Sequence, residues 1–317
     1  MYSIIKNYLF MAFFGALSIL AMAFFVSALI YPTLPNISHL EKYRPKQPLQ
    51  IFSKEGILIA EFGEERRDFI AISDTPQQMI NAILSIEDRR FFEHPGIDFI
   101  GITRATIKNI LGKSHEGAST ITMQVARNFF LTSEKTFKRK INEILLAIKI
   151  ERTLSKEEIL ELYINQIYLG QRSFGFAAAA NTYFGKNLDQ LNLGETALLA
   201  GLPKAPSRYN PLVRPNLAIS RQQNVLNSML RHGYIDKPTH VIALEDPLDL
   251  KETFMKSELE ANYVAEMVRK TLFEEFGDKI YTSGLKVYTT IKKKNQLMAN
   301  RSVQNGIINY MARHDLA

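Results

Sequence analysis

Residues Ser85–Asp98 read SIEDRRFFEHPGID. Two adjacent carboxylates, Glu87 and Asp88, close a run that is apolar upstream. Two arginines, two phenylalanines and a His-Pro-Gly turn follow. The run opens at Thr75-Pro76-Gln77-Gln78, which predicts a helix start with Thr75 as cap and Pro76 at the first helical position. Its apolar positions include Met79, Ile80, Ile83 and Leu84. Glu87 follows Ile80 by seven, Ile83 by four and Leu84 by three, so a 3.6-residue period sets it on the apolar stripe. It also stands near the helix C-terminus, where the macrodipole is negative. Burial and dipole both disfavour the ionised carboxylate, which is the tuning a general base or acid needs near neutral pH. The same placement suits an ion pair with Arg89 or Arg90, and spacing alone does not choose.

Downstream, Glu116–Leu131 (EGASTITMQVARNFFL) opens on glycine and small hydroxyl residues and then becomes helical. Such an entry either caps the helix in the ordinary way or presents N–H groups and hydroxyls to an anion. Gln124, Arg127 and Asn128 share one helical face. In SEKTFKRKINEILLAIKIER, Ile141, Ile144, Leu145 and Ile148 form an amphipathic stripe, with Lys140 and Glu143 together off it. Cations at 127, 135, 138, 139, 140, 149 and 152 outnumber acids at 134, 143 and 151. The segment reads either as a solvated face with an Arg139–Glu143 i,i+4 pair or as a cationic clamp around one carboxylate.

Further out, LQIFSKEGILIAEFGEERRDFI predicts a short β-hairpin turning at Lys54-Glu55-Gly56. Ser155-Lys156-Glu157-Glu158 is a capping box. Phe174–Ala180 and Glu195–Leu202 are short helical runs rich in small residues, Leu217–Leu230 is helical, and GLKVYTTI after residue 245 is strand-like. Tyr8–Tyr31 carries no charge. At about 1.5 Å per residue it reaches roughly 36 Å as a helix, against a hydrocarbon core of about 30 Å. That is longer than a signal peptide's apolar core of about 7–15 residues, so a retained membrane anchor is expected. The net charge of +7, from 39 Lys+Arg against 32 Asp+Glu, favours anionic partners. The absence of cysteine excludes disulfides, thiolate catalysis and Cys-based metal sites.

EDRRFFEHPGID, GASTITMQ, RKINE, KEEILELYINQIYLG and RQQNVLNSM match, in order and spacing, the motifs of the glycosyltransferase family 51 domain. The chain resembles the N-terminal part of the class A penicillin-binding proteins of the 1A type. Met123 stands where the family more often has glutamine, and Ser220 where a double arginine is common. The resemblance implies a mainly α fold. A lysozyme-like helical head would carry a smaller membrane-facing jaw, preceded by one transmembrane helix and a short β-hairpin, with a partial α/β region at the C-terminus. The implied organisation is a stub and anchor at 1–35, a linker at 36–49, the glycosyltransferase domain at 50–245 and the start of an inter-domain region at 246–317, short of a transpeptidase domain.

The implied reaction is polymerisation of lipid II into β-1,4-linked glycan strands with release of undecaprenyl pyrophosphate, at the periplasmic side of the inner membrane, in company with cell-wall synthesis proteins. Glu87 would be the base and Glu143 the carboxylate by the pyrophosphate. Arg127, Lys135, Arg139 and Lys140 would take the phosphates, with Ser119, Thr120, Gln124 and Asn128 hydrogen-bonding them and Asp88 supporting the site. No organic cofactor is implied; Mg2+ or Mn2+ near Glu143 is the candidate ion. The jaw would be Phe91–Leu111, where Phe91, Phe92, Ile97, Phe99, Ile100 and Ile102 are crowded together and the aromatics would dip into the outer leaflet.

A lytic glycosidase on the same fold is the main rival, but it would use a second carboxylate and no cation cluster. A decayed scaffold is disfavoured by the intact Glu87 and Glu143. Nucleic-acid binding lacks a recognisable module. Ser283-Gly284-Leu285-Lys286 fits the Ser-x-x-Lys pattern of penicillin-binding sites, but its partner motifs Ser-x-Asn and Lys-Thr-Gly are missing, so it is read as coincidence.

Overall fold

The structure, a computed structural model, describes residues 10, 14–15, 17–18, 21–22, 25, 28–40, 43, 45–63, 65–110, 119–132, 134, 136–251 and 259–314. The expected span Tyr8–Tyr31 lies in large part outside the described residues, as do Lys135, Leu111 and Gly117-Ala118. Among the described residues no helix is long and apolar enough to cross a membrane.

Along the chain the elements are β1 (Leu49–Phe52), β2 (Leu58–Phe62), β3 (Arg66–Arg67), α1 (Gln77–Glu87), α2 (Phe99–Ile110), α3 (Ile121–Phe130), α4 (Phe137–Glu151), α5 (Lys156–Gln166), β4 (Tyr168–Gly170), β5 (Ser173–Phe174), α6 (Phe176–Phe184), α7 (Leu193–Gly201), α8 (Pro215–Arg231), α9 (Lys237–Glu245), α10 (Asn262–Phe276), β6 (Lys286–Tyr288) and α11 (Lys293–Arg313). The protein is mainly helical, and it divides into two compact units, Met1–Tyr43 with Arg90–Tyr163, and Arg44–Arg89 with Ile164–Ala317.

In the unit holding Arg90–Tyr163, Ile97, Met123 and Ala147 form a small core onto which Ile102, Ile144 and Ile148 pack. The His-Pro-Gly turn is built into it. His94 Nδ1 accepts from the Gly96 N–H at 3.1 Å, and the Thr120 hydroxyl donates to the Gly96 carbonyl at 2.6 Å. Gly96 has φ +89°, and a Cβ there would lie 2.9 Å from Glu151 Cγ and 3.1 Å from the Ala147 carbonyl oxygen. Gly96→Ala therefore costs about 1–3 kcal/mol through the left-handed backbone alone, with the clash added. A thermal melt of the variant matching wild type would contradict this.

The expected jaw aromatics divide. Phe91 is fully buried and Ile97 nearly so, whereas Phe92, Phe99 and Ile100 are exposed. The Lys156 ammonium sits 4.5 Å above the Phe91 ring while bonded to the His94 carbonyl and Glu151, a cation–π contact that burial strengthens.

In the other unit, β1 pairs antiparallel with β2 across the Lys54-Glu55-Gly56 turn and parallel with β6, giving the order β2-β1-β6. Leu49, Ile51 and Ile59 pack from this sheet against Leu259, Ala261, Ala265 and Ile280. β6, from the strand-like run after residue 245, is thus part of the same sheet as β1. A second small sheet runs β3-β5-β4. Its β4–β5 turn is Gln171-Arg172, both at positive φ (49° and 62°), the twist that a two-residue hairpin requires.

The start of α1 departs from expectation. Pro76 is the N-cap and Thr75 does not cap; its hydroxyl donates to the Ala71 carbonyl at 3.0 Å, so the local turn wins that donor. Ser155 and Glu158 do form the reciprocal capping box. The run expected helical from Phe174 begins instead at Phe176, because Phe174 belongs to β5 and Gly175 has φ +87°.

Candidate active site

The residues expected to act fall in both units. In the Arg90–Tyr163 unit, α4 carries the cation cluster. Thr136 caps this helix by accepting from the Arg139 N–H, and Lys138, Arg139 and Lys140 occupy its first turns with no acid among them. The macrodipole favours anions there, not cations. Three cations against the dipole break a local rule, and such breaks mark function more often than stability.

The anchor for these cations is Glu143, which is 1% exposed. Its Oε2 accepts from Arg139 Nη1 at 2.8 Å and its Oε1 from Lys140 Nζ at 2.8 Å. This corrects the expectation that Glu143 lies off the apolar stripe. The buried face of α4 is Glu143, Leu145, Leu146, Ala147 and Ile150, and Ile144 and Ile148 sit at its edge. The His-Pro-Gly turn approaches this helix at the Ala147 backbone carbonyl. A carboxylate this deep costs several kcal/mol unless it is paired, and two cations pair it.

Lys140 is the shared member. Its ammonium also donates to Ser119 Oγ at 3.0 Å and lies 3.8 Å from Met123 Sδ. Met123, where the family more often has glutamine, thus still touches the cluster, through a soft sulfur. Among the described residues, buried Arg139 Nε has no hydrogen-bond acceptor. Thr120 caps α3 by accepting from the Met123 N–H, and its bond to Gly96 makes it a structural staple. Gln124 is buried, while Arg127 and Asn128 are half-buried on the following turn of α3. Lys135 lies outside the described residues.

Among the described residues, the protein groups here build no metal site of their own. Both Glu143 oxygens are held by cations, and among the described residues no group of three or more His, Asp or Glu side chains could hold a metal.

Glu87 is in the other unit, at the last residue of α1, with its side chain 13% exposed. Met79, Ile83 and Leu84 are buried on the same helix. Arg89 is exposed, and Arg90 pairs with Asp98, which also caps α2 by accepting from the Gly101 N–H. The cation beside Glu87 is Arg221 of α8, Nη2 to Oε1 at 3.7 Å. Sequence reasoning missed it, although Arg221 opens the last motif quoted above. Asp88 caps the C-terminus of α1, is buried, and donates its N–H to the Leu84 carbonyl at 3.2 Å. Ser228 of α8 ties the same end of α1 by donating to the Ser85 carbonyl at 2.7 Å.

Ser283 and Lys286 lie in extended chain, Ser283 bridged to Gln47 and Lys286 on β6, with Gly284 between them at φ +69°. They are not on a helix, where residues three apart share a face.

The Transglycosylase family model matches residues 55–230. The chain is 48% identical over 303 residues to penicillin-binding protein 1A of Neisseria gonorrhoeae, covering 94% of this chain and 38% of that protein. It is 47% identical over 293 residues to penicillin-binding protein 1A of Pseudomonas aeruginosa, covering 92% and 36%. The crystal structure of penicillin-binding protein 1A from Haemophilus influenzae superposes with a TM-score of 0.51 at 35% identity, over 86% of this chain and 31% of that one. The chain therefore spans under two-fifths of the length of these relatives. With the family's model covering more than half of its residues, the chain belongs to the transglycosylase family.

Proposed function

We propose that the protein is a peptidoglycan glycosyltransferase that polymerises lipid II into β-1,4-linked glycan strands in cell-wall synthesis. The observation that carries the reading is the cation cluster on α4, held in place by a fully buried Glu143. A donor sugar on a lipid pyrophosphate already has a good leaving group. It needs charge neutralised, not a proton delivered. A glycosidase has the opposite need.

In this reading the 4-hydroxyl of the acceptor sugar attacks C1 of the donor. The C1–O bond to pyrophosphate breaks with inversion, and the hydroxyl proton passes to the Glu87 carboxylate. The negative charge on the leaving undecaprenyl pyrophosphate is met by Lys140 and Arg139, with Arg127 and Lys135 adding to the cationic field. Ser119, Gln124 and Asn128 donate hydrogen bonds to the phosphates. Thr120 shapes this end of α3, and Asp88 fixes the end of the helix that carries Glu87.

A lipid-bound substrate calls for a lipid-facing surface. Phe92, Phe99, Ile100 and Phe137 (the last 92% exposed) supply large apolar side chains to solvent within one unit, as an interfacial contact requires. The head-and-jaw architecture, the single-pass anchor at Tyr8–Tyr31 and the periplasmic placement at the inner membrane belong to the same proposal, as do contacts with other cell-wall synthesis proteins. The deciding test is incubation of the chain with labelled lipid II in detergent and separation of products by size. A ladder of polymer supports the reading; shortened strands from preformed glycan would instead favour the glycosidase.

Given the extended placement of Ser283 and Lys286, this chain forms no covalent adduct with a fluorescent penicillin. A labelled band on a gel that is lost in Ser283→Ala would overturn that expectation.

A further inference from the structure

We infer that Arg221 is the positioning residue for the Glu87 carboxylate, an inference that rests on the proposed role of Glu87 as the base. Three contacts in one compact unit carry it. Arg221 Nη2 lies 3.7 Å from Glu87 Oε1, both side chains being largely buried (8% and 13% exposed). Arg221 Nε donates to the Gly201 carbonyl at 3.0 Å. Its guanidinium carbon stands 5.9 Å from the centre of the Tyr209 ring.

The guanidinium is therefore located by α7 and by the segment after it, independently of Glu87. A cation fixed by other groups can set both the direction and the charge of the carboxylate it faces. The 3.7 Å separation is longer than a charge-assisted hydrogen bond of about 2.7–2.9 Å. At that distance the guanidinium acts on the carboxylate by its field.

Gly201 is what makes room. Its backbone is ordinary, φ −81°, so no strain demands glycine there. A Cβ would instead lie 2.8 Å from Arg221 Cγ. That atom is near the root of the side chain and cannot swing aside without carrying the guanidinium with it. A glycine at α7's end and an arginine twenty residues on thus form one device for placing charge at α1.

The other charged groups on the elements packed against α1 are differently engaged or lie elsewhere. Glu195 of α7 pairs with Lys186 and caps its own helix. Arg214 and Arg231 mark the two ends of α8, with His232 beyond, facing Ser228. Asp88 is the adjacent carboxylate, so two acids stand in series at the end of α1 with Arg221 beside the first. A nearby cation favours the ionised form of Glu87, and its loss favours the protonated form. The acid side of the activity profile must then move to higher pH.

The test uses the full chain and two readouts across pH. One is the initial rate of polymer formation from lipid II. The other is carbodiimide labelling of Glu87, read by peptide mass spectrometry, which follows protonation of the carboxyl without substrate. In Arg221→Met both acid-side midpoints should rise by about one pH unit or more, with kcat falling and KM little changed. Arg221→Lys should return the midpoints most of the way while the rate at optimal pH stays lower, because the Nε bond to Gly201 is gone. Gly201→Ala, which keeps every charge, should move the midpoints in the same direction as Arg221→Met. Unchanged midpoints in these variants, or a Lys variant indistinguishable from Met, would overturn the inference. Should Arg221→Met not fold, judged by its thermal melt, the Lys and Ala variants make the same comparison. If the wild-type chain makes no polymer, the functional reading fails, while the labelling midpoints still judge Arg221.

Discussion

Glu87→Gln lowers polymer formation from lipid II by about 10²–10⁴-fold, the usual contribution of one general base, and leaves the thermal melt close to wild type. The amide has the shape of the carboxyl and can occupy the same place at the end of α1. It cannot take the hydroxyl proton of the acceptor sugar. The stability effect is small because the helix end is held by other groups: Ser228 donates to the Ser85 carbonyl, and the Asp88 N–H closes on Leu84. Arg221, left without an anion at Glu87, keeps the Gly201 carbonyl as acceptor. The measurement is initial rate on labelled lipid II, beside a melting curve. Polymer yield near that of wild type would remove Glu87 from the role of base, whereas lost yield with a collapsed melt would assign it to structure.

The contrast between Glu87 and Glu143 shows how far periodicity reaches. The stripe through Met79, Ile83 and Leu84 is a single-sided pattern, and it correctly put Glu87 against the interior. Helix α4 has apolar residues at nearly every position from Ile144 to Ile150, so its pattern does not say which side is covered. The buried face runs through Glu143, Leu146, Ala147 and Ile150, and the Gly96 turn lies against the Ala147 backbone. A phase error of one residue on such a helix moves a carboxylate from surface to interior.

Contacts distant in sequence were the other blind spot. A cation beside Glu87 is Arg221, far along the chain, whereas local spacing offered only Arg89 and Arg90. The Gln171-Arg172 turn carries neither Asn nor Gly at its two left-handed positions, and only the preceding Gly170, itself at φ +92°, marked it. The aromatics of the opening stretch were a mixed case. Composition identified a crowded apolar segment, but it did not separate buried Phe91, which has Lys156 over its ring, from the exposed Phe92 beside it.

Lys140→Ala is expected to lower the polymerisation rate by about 10²–10³-fold, the cost of one pre-positioned donor to a developing anion, and Lys149→Ala to leave it within a few-fold. Each change removes one positive charge from the same helix, so long-range attraction to an anionic membrane falls equally in both. The positions differ entirely. Lys140 Nζ is fixed between Glu143 Oε1 and Ser119 Oγ, at 2.8 and 3.0 Å, with its side chain 40% exposed and so open to a ligand. Lys149 Nζ instead donates to the Pro35 carbonyl at 2.9 Å. Part of the Lys140 effect is indirect, because Glu143 is left with Arg139 alone, and a buried carboxylate deprived of one cation draws the other more tightly to itself. Glu143→Gln separates the two. It keeps both cations but removes the charge that positions them, so a loss equal to that of Lys140→Ala assigns the effect to positioning and a smaller loss assigns it to direct contact by the ammonium. The measurement is initial rate at two salt concentrations. Screening over about 10 Å at 0.1 M removes general attraction to the bilayer and spares a contact pair. Equal losses for Lys140 and Lys149 that fade together with salt would mean membrane electrostatics. A loss confined to Lys140 that survives high salt would mean a contact made by one ammonium in one place.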